Sequence, residues 1–146
     1  MKYPLIPYIE NAIITPIANP GGLIEKGILK FSFTDGDGNI GLDSLDVYPP
    51  FDTTSNFYYN LFITYYEKQQ GKYVAVPLPL TNNSRIPRLT TDEQKESMKG
   101  DIEVILFINN YGSNYDTIAF DVSIADRALN VSNIIRTPDM VIKHKL

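Results

Sequence analysis

Residues 101–124 read DIEVILFINNYGSNYDTIAFDVSI, two runs with a period of two on either side of a polar turn. In the first run Ile102, Val104, Leu106 and Ile108 alternate with Glu103, Ile105 and Phe107. In the second, Ile118, Phe120, Val122 and Ile124 alternate with Thr117, Asp121 and Ser123. Successive side chains of a strand point to opposite faces, so each run is a strand with one buried face. The Asn, Gly and Ser of 110–115 supply the turn between them.

The same pattern recurs along the chain. Lys26–Thr34 sets Leu29, Phe31 and Phe33 against Ile28, Lys30 and Ser32. Phe57–Glu67 (FYYNLFITYYE) is dense in aromatics, and with Lys72–Leu78 across Gln69, Gln70 and Gly71 it reads as a hairpin. A last strand over Ile134–Ile142 is interrupted by Pro138. Residues 1–22 hold Pro4, Pro7, Pro16 and Pro20, which suits an edge strand or a tether leading into a single domain over 23–146. The one helical signal is Thr91 with Gln94 three positions on, a turn at most. Seven or so short strands with regular turns and almost no helix predict an all-β fold, an immunoglobulin-like antiparallel β-sandwich, with a jelly-roll as the alternative.

One loop stands out chemically. In FSFTDGDGNIG (31–41) a strand runs into Asp35, Asp37 and Asn39, spaced by Gly36 and Gly38. Glycine lets such a loop curl and turn three oxygen side chains to one point. Calcium takes roughly six to eight oxygens, and oxygens at every second position of a short acidic loop are a usual source of them. Asp43 lies just downstream, and an immunoglobulin-like topology brings the loop before the last strand, with Asp126 and Asn130, to the same end. The predicted cation set is therefore Asp35, Asp37, Asn39, Asp43 and Asp126, for calcium. A tight Asp-Gly turn without metal fits the same letters. The preceding strand and the absence of Glu at the twelfth position rule out an EF-hand.

The pair FTDGDGNIG and DRALNVSNIIRTP, the latter at 126–138, resembles a group of cell-envelope lipoproteins of Bacteroidetes, and 116–133 resembles the closing strand and turn of bacterial immunoglobulin-like repeats. The resemblance spans most of 28–142. It implies a sandwich, an address in the cell envelope at the periplasm or outer-membrane surface, and a lipobox cysteine for anchoring. The 146 residues contain no cysteine, so under the resemblance they begin after it, and membrane contact would come through that anchor alone.

No reaction is implied. The single histidine, His144, is expected to lie exposed in a KHKL tail, and phosphate loops, nucleophile elbows and zinc spacings are missing. A net charge of −4 without a basic run argues against nucleic acid. The expected partner is an envelope protein or a surface glycan. For a glycan the candidates are Tyr58 and Tyr66, read as one face of the aromatic strand, where exposed rings would stack on sugars. The alternative is that these rings fill the sheet. Asp126 and Arg127 are expected to pair locally.

Overall fold

The structure, a computed structural model, describes residues 4–36, 39–87 and 98–145. It is all-β, two antiparallel sheets face to face. The smaller sheet has the order β1-β2-β5, with β1 Tyr8–Ala18, β2 Ile24–Asp35 and β5 Met98–Phe107. The larger has the order β4-β3-β6-β7, with β3 Leu61–Gln69, β4 Lys72–Ala75, β6 Thr117–Ile124 and β7 Ile135–Arg136. The short β8, Met140–Val141, also pairs with β6. The two alternating runs of 101–124 thus belong to opposite sheets, and the turn between them crosses the sandwich.

Between the sheets the alternation places Leu29, Phe31 and Phe33 from β2, Ile102 and Leu106 from β5, Leu61 and Tyr65 from β3, and the four apolar residues of β6. Every one of these is buried. Tyr65 packs on Phe120 with ring centroids 5.4 Å apart. Residues 8–18 are not a tether. They form an edge strand whose register shifts between Glu10 and Ile13, at Asn11 with φ of 60°, so that Ile9 and Ala12 both face the core. β1 comes so close to β2 at Gly27 that a Cβ there would lie 2.6 Å from Ile14 Cγ2.

Three strands are shorter than their letters suggest. Residues 57–60 are turn, because Phe57 N and Tyr58 N bond back to Ser55. β4 stops before Pro77, which has no N–H to donate. Pro138 splits the last strand into the two-residue β7 and β8. The helical turn expected at Thr91–Gln94 lies outside the described residues.

Asparagine amides close the open margins of the sandwich. Asn133 Oδ1 accepts from Ile9 N and its Nδ2 donates to Ile9 O, both at 2.9 Å, on the outer edge of β1. On the far edge of the same sheet, Asn82 Oδ1 accepts from Phe107 N at 3.0 Å and Nδ2 donates to Phe107 O at 2.8 Å. Asn60 does the same for Ile86. In each case a side-chain amide supplies the donor and acceptor that a neighbouring strand would have supplied.

His144, expected to be exposed, is 5% exposed. Its Nδ1 lies 2.7 Å from Asn109 Oδ1, and its Nε2 reaches the Tyr115 carbonyl. Asn109 Nδ2 donates to Ile24 O at 2.6 Å and to Lys143 O at 3.2 Å, which fixes its oxygen toward the imidazole. The C-terminal segment is therefore latched into the end of the sandwich, and its histidine is structural.

Candidate functional site

Two regions gather chemistry-bearing side chains. The first is the end where β2 and β6 finish. Asp35, fully buried as the last residue of β2, accepts from Asn39 N through Oδ2 at 2.8 Å, closing the glycine-spaced loop on itself. Asn39 O accepts from Arg127 N at 3.1 Å, so this loop and the one after β6 do meet at one end. Asp126 is buried and receives Asn130 N on Oδ1 (2.9 Å) and Asn130 Nδ2 on Oδ2 (3.2 Å), holding a turn in which Leu129 takes φ of 68°.

Arg127 reaches across to Asp46. Nη1 and Nη2 fork onto Oδ2 and Oδ1 at 2.6 and 3.0 Å, and Nη1 also donates to Gly41 O at 3.3 Å. That fork holds the Asp46 carboxyl down at about 2; burial opposes it, while the Asp43 N–H and the charges of Arg127 and Arg85 add to it. Arg85 caps the other side of the loop, donating to Tyr58 O at 2.9 Å and to Asp46 O at 2.7 Å. The acidic end thus carries two guanidinium groups. Asp43 is exposed, and its N–H donates to Asp46 Oδ2 at 2.7 Å. Asp37 lies outside the described residues. Among the described residues no three Asp, Glu or His side chains lie close enough to share an ion.

The second region is the outer face of the larger sheet. Tyr66 and Tyr58 are not on one strand face: Tyr58 lies in the turn before β3, its ring against Tyr59 at 5.0 Å and beneath the Arg85 guanidinium at 4.4 Å. Tyr66 points outward from β3, and its companion is Tyr73 of β4. Arg136 of β7 lies 4.4 Å from the centroid of Tyr66 and 4.6 Å from that of Tyr73. Asp121 aims this guanidinium, accepting Nε at 2.8 Å and Nη2 at 3.1 Å. Tyr73 OH donates to Asp139 at 2.6 Å, and Lys68 lies 3.5 Å from the same carboxylate. That hydrogen bond pushes the Tyr73 hydroxyl above its ordinary range.

Of the two expected tyrosines, one falls in this stack. Arg136 and Tyr73 escaped the sequence reading because the stack forms across three strands. The one local hint was that Asp121 falls on an outward position of a predicted strand. Comparison with known proteins gives no matching family model, curated protein or solved structure.

Proposed function

We propose that this chain is a non-catalytic interaction module of a bacterial envelope lipoprotein that meets a protein partner through the Tyr66–Arg136–Tyr73 stack. The stack itself carries the reading. Tyr and Arg are the residues that dominate protein contacts, because they offer large, rigid, partly polar area at small entropic cost. Here the arginine is pre-aimed by Asp121, so little order is lost on binding. The strand orders β1-β2-β5 and β4-β3-β6-β7 support the immunoglobulin-like assignment. The structural use of His144 supports the non-catalytic part. The envelope address rests on the resemblance of 28–142.

A calcium ion at Asp35, Asp37 and Asn39 belongs to the same proposal, on the strength of the oxygen spacing. A surface glycan is the second reading, favoured by the two rings; the guanidinium against both leaves less open ring face for a sugar. Photo-crosslinking from position 73 in the native host tests the first reading, with position 103 on the opposite sheet as control. A discrete protein adduct from 73 alone is expected. Adducts from both positions alike, or sugar binding on a glycan array that is lost in Tyr66→Ala, would overturn it.

A further inference from the structure

The smaller sheet buries one face against the larger and leaves the other to water. Strand register fixes what that outer face displays. β2 sets Lys26, Ile28, Lys30 and Ser32 outward, and directly opposite them β5 sets Phe107, Ile105, Glu103 and Asp101. β1 adds Ile17, Thr15 and Ile13 beside Lys26, Ile28 and Lys30. Ile13, Ile17, Ile28, Ile105 and Phe107 therefore form one apolar patch, extended by Tyr111, whose ring meets that of Phe107 at 5.7 Å. Ile105 is 67% exposed and Ile13 50%. Contiguous exposed apolar surface of this kind marks a contact site.

The charges around the patch are only partly spent within the chain. Lys30 leans toward Asp101, 3.9 Å from its carboxylate, and Ser32 Oγ donates to the same group at 2.7 Å. Among the described residues Glu103 and Lys26 have no ion-pair partner. The margins of this sheet are covered by Asn133 at Ile9 and by Asn82 at Phe107, which favours contact across the face over addition of a strand at the edge.

The face is its own complement. A two-fold axis parallel to the strands, midway between β2 and β5, lays the β2 row of one copy over the β5 row of the other. Lys30 then falls opposite Glu103, Ile28 opposite Ile105 and Lys26 opposite Phe107, and each contact occurs twice. Base meets acid, aliphatic meets aliphatic, and an ammonium meets an aromatic ring. Sheets pack face to face about 10 Å apart with strands within about 30° of each other, a gap that Lys and Glu side chains span together. We infer that the outer face of the smaller sheet is a self-association site whose occupant is the same face of a second copy of this chain. It lies on the opposite side of the sandwich from the Tyr66–Arg136–Tyr73 stack and does not depend on it. Three strands make a small interface, so the dimer is weak, with a dissociation constant on the order of 10–100 µM. At the far lower concentrations of crosslinking in a host it is unpopulated, and position 103 stays unreactive there.

Sedimentation equilibrium of the whole chain in low salt, from about 5 µM to about 1 mM, is expected to show a reversible monomer–dimer transition. Glu103→Lys or Lys30→Glu alone sets like charges together twice across the axis and should weaken the dimer about tenfold or more. An equimolar mixture of these two variants should regain it, because Lys30 of the first then faces Glu103 of the second and the two reversed positions carry opposite signs. That recovery separates contact between copies from any effect of the reversal on cross-strand neighbours inside one sheet. Ile105→Lys should weaken the dimer similarly. A chain that stays monomeric throughout, or a mixture that associates no better than its components, overturns the inference.

Discussion

Replacing Arg127 by alanine removes the fork on Asp46 and leaves that carboxylate with the Asp43 N–H and the more distant charge of Arg85. A fall in proton affinity from 3.8 to about 2 corresponds to about 2.4 kcal/mol, at about 1.36 kcal/mol for each tenfold. The Asp43 N–H and Arg85 supply part of this and survive the substitution. Loss of the guanidinium is therefore expected to cost about 1–2 kcal/mol near neutral pH. The Asp46 side chain is 18% exposed, so water does not screen the pair away.

The sign with pH follows from the direction of the shift. The folded carboxyl releases its proton at lower pH than the unfolded one, so the contribution is complete above about pH 5 and is lost as pH falls through about 2. Urea unfolding of the parent and of Arg127→Ala, followed by circular dichroism, should give a gap of about 1–2 kcal/mol near pH 7 that closes toward about pH 2. Asp46→Asn should show the same loss, and the double variant little more than either alone. A gap that stays constant across this range, or variants whose losses simply add, would refute the pairing as the source of the stability.

Other expectations are as direct. Asn133→Asp keeps an acceptor for Ile9 N and loses the donor to Ile9 O, setting a carboxylate against a carbonyl; urea unfolding should show a loss of about 1–3 kcal/mol. His144→Ala should cost a similar amount, and hydrogen exchange at Ile142 N, which donates to Asp116 O at 3.0 Å, should speed up as the C-terminal segment comes loose. Gly27→Ala puts a methyl group against Ile14 and Ile108 and should lower stability by about 1–3 kcal/mol, read from the same melts. If calcium binds the Asp35–Asn39 loop, EDTA lowers the melting midpoint and added calcium raises it; an indifferent midpoint removes the ion from the proposal.

How far the sequence carried depended on whether a signal was local. The inward sets Leu29, Phe31, Phe33 and Ile118, Phe120, Val122, Ile124 could be read because strand periodicity is written in neighbouring letters. The meeting of the Asp35–Asn39 loop with the Asp126 turn was also legible, since two-sheet topology dictates which loops share an end. Phe57–Asn60 misled because aromatic density mimics a strand, while Ser55 and the Asn60 amide hold that segment in a turn. Arg127 with Asp46, Arg136 with its two tyrosines, and His144 with Asn109 are joined by folding across long stretches of chain. No spacing rule reaches them.

The amides of Asn133 and Asn82 have a consequence beyond holding their own chain together. A three-stranded sheet offers two rows of backbone groups on which a foreign strand can template itself, the first step toward fibrils. At Ile9 and at Phe107 that docking position is already taken by a side chain that cannot propagate the pattern. Changing either asparagine to an aliphatic residue would therefore do more than weaken the fold, because it would uncover a growth point, and such variants should be caught first by thioflavin fluorescence and light scattering at temperatures where the parent stays clear.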